Sequence, residues 1–317
     1  MKILVTGGAG FIASHIVDRY LADGHEVCIL DNLSTGRREN VPPQARLYEA
    51  DIRDAAQVQA IMAREKPEVV NHHAAQISVV VSLSQPRFDA ETNILGSLNL
   101  IQAALDHGVQ KFIYGSTGGA VYGDVPAEAL PIPETYPVHP ISPYGISKHT
   151  VEHYLYLAQH NYGLRTTTLR YSNVYGPRQN AEGEAGVVAI FTNRLLRGQT
   201  CTIFGSGAQT RDYVYVEDVV EANRRALEAG DGEIFNIATG VETSVLGVVE
   251  ALEAAWGGPV QVEHAPPRVG EVERNCLDIT KARRQLGWEP RVQVPDGIRR
   301  TIAYYRARLE RENPCLS

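Results

Sequence analysis

Residues 2–6 (Lys-Ile-Leu-Val-Thr) form a short apolar run with β-branched members that ends in the glycine-rich stretch Gly7-Gly-Ala-Gly-Phe-Ile-Ala13. From 14 to 22 the apolar positions fall at Ile16, Val17, Tyr20 and Leu21, the spacing of one helical face, and Asp23-Gly24 supplies a stop. Residues 26–30 read as a second strand, closed by Asp31. Strand-like runs recur at 46–49, 69–71, 111–114 and 166–169, with helical stretches around 55–65, 92–107 and 147–161 between them. After about Arg170 the pattern loosens and Gly and Pro become more frequent, although 214–229 and 234–237 again look like a helix and a strand.

Strands that alternate with helices predict an α/β fold with a doubly wound parallel sheet whose ligands sit at the strand C-termini. The opening unit is strand, glycine turn, helix, strand, acid. Gly8, Gly10 and Ala13 fit the dinucleotide spacing, and Asp31 stands about 20 residues on, as a Rossmann domain requires. The glycines, Gly7 included, let the backbone approach a pyrophosphate, and the helix N-terminus offers free N–H groups and a positive dipole end. Asp31 would accept hydrogen bonds from an adenosine ribose and repel a 2′-phosphate, which favours NAD over NADP; Arg37 and Arg38 temper that preference. The expected division is a dinucleotide-binding domain over 1–170, with 213–238 returning to it, and a smaller C-terminal substrate lobe over 171–317.

Composition narrows the class. The chain has 317 residues, enough for a large core, and a net charge of −7, which argues against a general nucleic-acid surface but leaves room for a local arginine pocket. Met1 leads almost directly into the first strand, so neither a signal peptide nor a membrane span is expected. The four cysteines (Cys28, Cys201, Cys276, Cys315) have neither disulfide-framework nor zinc spacing. A reduced, metal-free cytoplasmic protein is the expectation. His72 and His73 are adjacent on a strand and face opposite ways, and they read as structural.

The candidate chemistry lies at Tyr144-Gly-Ile-Ser-Lys148. Ser142 and Pro143 read as a helix cap and first turn, and Tyr144 and Lys148 project from one face of that helix. A tyrosine with a pKa near 10 is a poor base at neutral pH. A neighbouring ammonium favours the phenolate, and a bound nicotinamide cation would favour it further. Reaching about 7 needs roughly 3 units, or about 4 kcal/mol, a plausible total for two close charges.

These pieces occur in order with Asp31-Asn-Leu-Ser-Thr-Gly36, Asp51-Ile-Arg-Asp54, His73-Ala-Ala-Gln76, Asn93, Ser116-Thr-Gly-Gly-Ala-Val-Tyr-Gly123, Arg170-Tyr-Ser-Asn-Val-Tyr-Gly-Pro-Arg178, Arg211-Asp-Tyr213 and Arg268-Val-Gly-Glu271. Almost end to end, the chain resembles the extended short-chain dehydrogenase/reductase family, and within it the members that epimerise UDP-hexoses at C4. The resemblance implies NAD as cofactor, a UDP-sugar substrate and a homodimer built on the helices at 92–107 and 147–161. It implies that Phe11 and Ile12 lie at the pyrophosphate turn, and that Asp31, Asn32, Leu33, Ser34, Thr35 and Gly36 surround the adenosine ribose. Asp51 and Ile52 would flank adenine. Ala74, Ala75, Asn93, Ser116 and Tyr171 would line the nicotinamide end. Asn173, Arg211 and Arg268 would hold the diphosphate, with Val187, Val188, Ile203 and Phe204 beside the nucleotide and Glu271 at the uridine ribose. Taken as ordinary residues, the arginines would be surface ion pairs and the apolar four would be core.

By the same resemblance Tyr144 takes the 4-hydroxyl proton while C4 gives hydride to NAD⁺. Lys148 binds the nicotinamide ribose, and either Thr117 or Ser116 hydrogen-bonds the reacting oxygen. Epimerases often carry a serine where this chain has Gly118. The dehydratase pattern Ser-Thr-Asp-Glu-Val-Tyr-Gly meets Gly118 and Gly119 instead of its acid and base, so dehydration is not expected. Asn275 replaces a tyrosine that in some members crowds the sugar 2-substituent, which implies tolerance of N-acetyl sugars. A UDP-glucuronate 4-epimerase or decarboxylase stays open as an alternative, because recognition at sugar C6 is not legible here, and an NAD-binding regulator without turnover would have no need of Tyr144 and Lys148.

Overall fold

The computed structural model describes residues 1–181, 186–267 and 272–312. Strands β1 (Lys2–Thr6), β2 (Glu26–Asp31), β3 (Arg46–Glu49), β4 (Val69–His72), β5 (Lys111–Thr117) and β6 (Arg165–Tyr171) precede β7 (Asn173–Tyr175), β8 (Cys201–Phe204), β9 (Thr210–Tyr215), β10 (Glu233–Ile237), β11 (Glu242–Ser244) and β12 (Val262–Ala265). Seven of them make one sheet in the order β10-β6-β5-β4-β1-β2-β3. All of its pairings are parallel. The order reverses between β1 and β4, where a doubly wound sheet opens its ligand crevice. Two small sheets, β11-β9-β7 and β12-β8, stand beyond it.

The helices are α1 (Phe11–Ala22), α2 (Ala55–Glu65), α3 (Val79–Ser84), α4 (Pro86–Ala90), α5 (Gly96–Asp106), α6 (Pro143–Tyr162), α7 (Val187–Leu196), α8 (Val216–Ala226), α9 (Val245–Trp256) and α10 (Val294–Glu312). Alternation along β1 sends Ile3 and Val5 into a core with α1 and α8, and Leu4 into a second core with α2, α5 and α6. A third apolar cluster joins α7, α9 and α10 to β8 and β9. Among the described residues no helix is long and apolar enough to cross a membrane.

The structure departs from the sequence expectation in four places. The first helix starts at Phe11, because Gly10 takes extended backbone and acts as the N-cap, so the glycine turn is itself the helix start. The helix expected over 92–107 is preceded by α3 and α4 and passes through a π-helical turn, Glu91–Leu95, before α5. The run at 214–229 begins as strand: Val214 and Tyr215 finish β9, and the helix starts at Val216, since a buried apolar run looks alike in either state. Finally, the lobe expected over 171–317 is not one piece in space. Besides α8 and β10, residues Leu277, Ile279, Leu286 and Trp288 pack into the β1–α1–α8 core, and the Trp288 indole N–H donates to the Asp218 carbonyl at 2.8 Å.

Helix α6 is seated by a close backbone approach. Ser142 caps it, its hydroxyl accepting from the Gly145 N–H at 3.1 Å. A Cβ at Gly145 would stand 2.6 Å from the Ala120 carbonyl oxygen and 2.9 Å from Pro140 Cβ, so glycine lets the first turn of α6 lie on the loop after β5. Alanine in place of Gly145 gains about 1 kcal/mol of helix propensity but meets backbone. Gly145→Ala is expected to lose about 1–2 kcal/mol net in denaturant unfolding, because the helix must lift off that loop.

Candidate active site

At the opening turn Gly7 has φ +68°, and a Cβ there would stand 2.8 Å from the Ala74 amide nitrogen; at Gly8 it would stand 2.8 Å from the Ile29 side chain. Gly10 caps α1 without a side-chain hydrogen bond and no acidic residue occupies the first turn, so the amides at Phe11 and Ile12 open a helix end suited to an anion, while Ala13 is buried. Asp31 closes β2 with its Oδ2 accepting from the Ala9 N–H at 3.0 Å and its Oδ1 from the Leu33 N–H at 2.8 Å. Burial raises its pKa and those two amides oppose the rise. Leu33 is left-handed at φ +55°. A Cβ on Gly36 would come within 2.8 Å of Asp31 Oδ1. Asn32 accepts from the Ser34 N–H and hydroxyl at 3.0 and 2.7 Å and donates to Asp51 at 3.0 Å, with Thr35 exposed beside it. Arg53 grips Asp51 at 2.7–2.9 Å and holds its carboxyl well below the usual range, and Ile52 is buried behind. A cradle that any side chain would fill, free helix amides and a buried acceptor at the ribose position together fit NAD.

The other wall of the crevice follows β4. Thr6 Oγ1 accepts from the His73 and Ala74 amides at 3.1 Å each, so its proton goes to His72 Nδ1 at 2.7 Å. His72 Nε2 then donates to Ser97 Oγ at 2.9 Å. Asn93, on the π turn, accepts from the Gln76 N–H at 2.8 Å and donates to the Gln76 carbonyl at 2.9 Å, clamping the Ala74-Ala75-Gln76 loop. Tyr171 stacks on His73 at 5.8 Å, its hydroxyl 2.8 Å from His73 Nε2. Burial drives His72 and His73 neutral, His73 to about 3.

Two hydroxyls were open for the reacting oxygen, and the structure separates them. Thr117, the last residue of β5, hydrogen-bonds the Tyr144 phenol. Ser116 turns the other way and donates to Glu152 Oε1 at 2.7 Å. Lys148 is buried with its Nζ 4.2 Å from the centroid of the Tyr114 ring. Without nucleotide the phenol stays above the range that lysine and nicotinamide together are expected to give. Burial pushes Tyr144 up to about 12, against the Thr117 hydrogen bond. Burial also pulls Lys148 down to about 7, with Glu152 and Asp89 opposing it. Exclusion of water disfavours both charges, and the lysine alone does not offset that for the phenol.

A cavity of about 560 Å³ opens beside this centre, lined among others by Asn173, Val187, Ile203, Phe204 and Arg211. A Cβ at Gly119 would lie 3.8 Å from Thr117 Oγ1 and 3.9 Å from Asn173 Oδ1, so the two regions adjoin there. Val188 is a correction: it faces the third core and does not line the cavity, because successive helical residues point about 100° apart. Asn275 is buried, with its Nδ2 3.5 Å from the Gly118 carbonyl and its Oδ1 without a partner. Arg268 and Glu271 lie outside the described residues. The sequence reading missed Arg194 and Arg197, which line the cavity from the end of α7, and the pair Glu152 and Arg170 beneath Ser116. A basic pair at i, i+3 and an acid four residues past Lys148 were the available signals.

Residues 3–238 match the NAD dependent epimerase/dehydratase family. The chain is 48% identical over 312 residues to UDP-glucose 4-epimerase of Mycolicibacterium smegmatis, a match that covers 96% of this chain and 99% of the other. Its fold superposes on UDP-glucose 4-epimerase of Thermotoga maritima, solved with UDP-glucose, at a TM-score of 0.96 and 51% identity, covering 98% and 100% of the two chains. The Thermus thermophilus UDP-glucose 4-epimerase complex with NAD gives 0.91 and 47%, covering 96% and 99%. The chain therefore belongs to the NAD dependent epimerase/dehydratase family, among the extended short-chain dehydrogenase/reductases.

One titration follows from the buried phenol. In protein stripped of nucleotide, the tyrosinate absorbance that distinguishes wild type from Tyr144→Phe is expected to rise only toward pH 12. A rise between pH 7 and 9 in the absence of nucleotide would contradict it.

Proposed function

We infer that this chain is an isomerase that interconverts UDP-galactose and UDP-glucose by 4-epimerisation, using tightly held NAD. The observation that carries the reading is the group of half-buried Thr117 and Tyr144 with buried Lys148, adjoining a cavity that presents Asn173 and Arg211. The glycine cradle, the α1 amides and Asp31 would hold the cofactor, with Lys148 at the nicotinamide ribose. Bound NAD⁺ supplies a hydride acceptor and donor at C4. Tyr144 takes the O4 proton as the alcohol becomes a 4-ketose and returns it to the epimer, while Thr117 keeps that oxygen in line. Arg211 and Asn173 would hold the diphosphate about which the ketose turns, with Arg268 and Glu271 in supporting roles, and Val187, Ile203 and Phe204 would border the nucleotide. Gly118 and Gly119 supply neither the acid nor the base of a dehydratase, and a side chain at Gly118 would have to displace the Leu277 methyl.

Three finer points belong to the same proposal. Asn275, with its amide oxygen unpaired behind the Gly118 loop, leaves space that a tyrosine would take, and N-acetyl sugars are accepted. The chain is a homodimer through α5 and α6, whose side of the molecule exposes Leu83, Leu95 and Ile146 at 60, 53 and 51%. The three described cysteines are free and buried, as suits a reducing compartment such as the cytoplasm.

Wild-type protein is expected to convert UDP-galactose to UDP-glucose in a coupled assay with no added NAD, and Tyr144→Phe to lose about a hundredfold or more in kcat. UDP-N-acetylgalactosamine should turn over in the same assay, and its failure at saturation would remove the Asn275 argument. No turnover of either, even with NAD added, would redirect the search to UDP-glucuronate. Light scattering should return twice the chain mass, and a monomer mass would refute the dimer.

A further inference from the structure

Tyr144, Lys148 and Glu152 follow one another at four-residue intervals along one face of α6. The function proposed above uses the first two. Glu152 reaches into the junction of α6 with β5 and β6, where its side chain and that of Arg170 are 2 and 3% exposed. Its Oε1 accepts from Ser116 Oγ at 2.7 Å and from Arg170 Nε at 2.9 Å. Its Oε2 accepts from Arg170 Nη2 at 2.6 Å and His149 Nδ1 at 2.8 Å. Arg170 Nη1 donates onward to the Tyr122 hydroxyl at 2.9 Å, and that hydroxyl to Asn236 at 2.8 Å. Ser116 and Arg170 are register partners across β5 and β6, and the next pair is Thr117 and Tyr171. One carboxylate thus touches the strand one residue behind the threonine and stands one helical turn beyond the lysine.

We propose that Glu152 is a positioning residue for the reaction: through Ser116 and Arg170 it locks the end of β5 to α6, holding Thr117 against Tyr144, and it places a fixed negative charge one turn from Lys148. Four elements press on Lys148. They contribute the Tyr114 ring from β5, Asp89 from α4, His72 and His73 from β4 and its continuation, and Tyr144 and Glu152 from α6 itself. The histidines are neutral, so among these described groups only Asp89 and Glu152 oppose the loss of the ammonium that burial favours. Burial would raise the Glu152 pKa, but the Arg170, His149 and Ser116 hydrogen bonds hold it down to about 2, and it stays ionised throughout the working range.

The chain has only five lysines, so the Lys148 amine can be followed by NMR in protein labelled at the lysine ε-carbon, with Lys148→Arg for assignment. In Glu152→Gln the Lys148 midpoint is expected to fall by about one pH unit, and the alkaline limb of kcat to move down with it. At the pH of the wild-type optimum kcat should fall about tenfold while KM for UDP-galactose stays within about threefold. Glu152→Asp should restore the midpoint and the limb. Should Glu152→Gln not fold, Arg170→Gln, which leaves the carboxylate without its counter-charge, should move the Lys148 midpoint up, and an unmoved midpoint there would equally overturn the proposal. A wild-type Lys148 midpoint in any folded variant that lacks the carboxylate would overturn the proposal. Because the NMR titration needs no turnover, the inference rests on the proposed function only for its kinetic arm. A normal shift in a protein inactive toward UDP-galactose would sink the substrate and leave the electrostatic role standing.

Discussion

A carboxylate and a guanidinium kept from water lie where α6 crosses the ends of β5 and β6, and the geometry of the site depends on them. An ion pair buried in this way is costly to desolvate and stable only when each oxygen and N–H finds a partner. Glu152 and Arg170 meet that condition through Ser116, His149 and Tyr122. The hydrogen bonds are directional, so the helix has one translation and one rotation over the strands that satisfy them all. Apolar packing under Leu155 and Val151 would hold α6 down but would not select that registration as sharply.

The protein around this junction strengthens one proton position and weakens another. Water exclusion keeps the proton on Tyr144 and weakens the hold of Lys148 on its own. The Tyr–Lys pair is thus not a ready-made phenolate. It is a group whose ionisation awaits a further positive charge in a site of low polarity, where such a charge acts strongly. On the function proposed above, the nicotinamide of bound NAD⁺ would bring such a charge. The cavity is built differently, on β7, β8, β9 and α7, and it meets the Thr117–Tyr144 pair near Gly119. Cofactor and substrate halves can each be shaped by their own elements because the contact between them is narrow.

Much of the fold was legible because it follows from spacing within single elements. Alternating period-2 and period-3.6 runs mark β1 to β6 and the helices between them. The elements misread were those in which neighbours decide. The π turn at Glu91–Leu95 has no periodic signature, and it is held by Asn93 hydrogen bonds to Gln76, outside its own element. The β9–α8 boundary lies inside a continuously buried run, where either conformation satisfies the pattern. The return of Leu277 through Trp288 to the sheet core depends on long-range packing and on the Asp218 carbonyl that receives the Trp288 indole.

The sequence by itself determined the alternation of strands and helices up to β6, the glycine cradle with Asp31 beyond it, and the placement of Tyr144 and Lys148 on one helical face. Each of these is a relation between residues a few positions apart, governed by backbone sterics and helical or pleated periodicity. Only the tertiary structure decided that Thr117 and not Ser116 meets the phenol, that Val187 and not Val188 borders the cavity, and which way the Tyr144 and Lys148 pKa values move. Those outcomes depend on which face of an element another element covers and on how completely water is shut out, and both are set by contacts between residues distant in the chain.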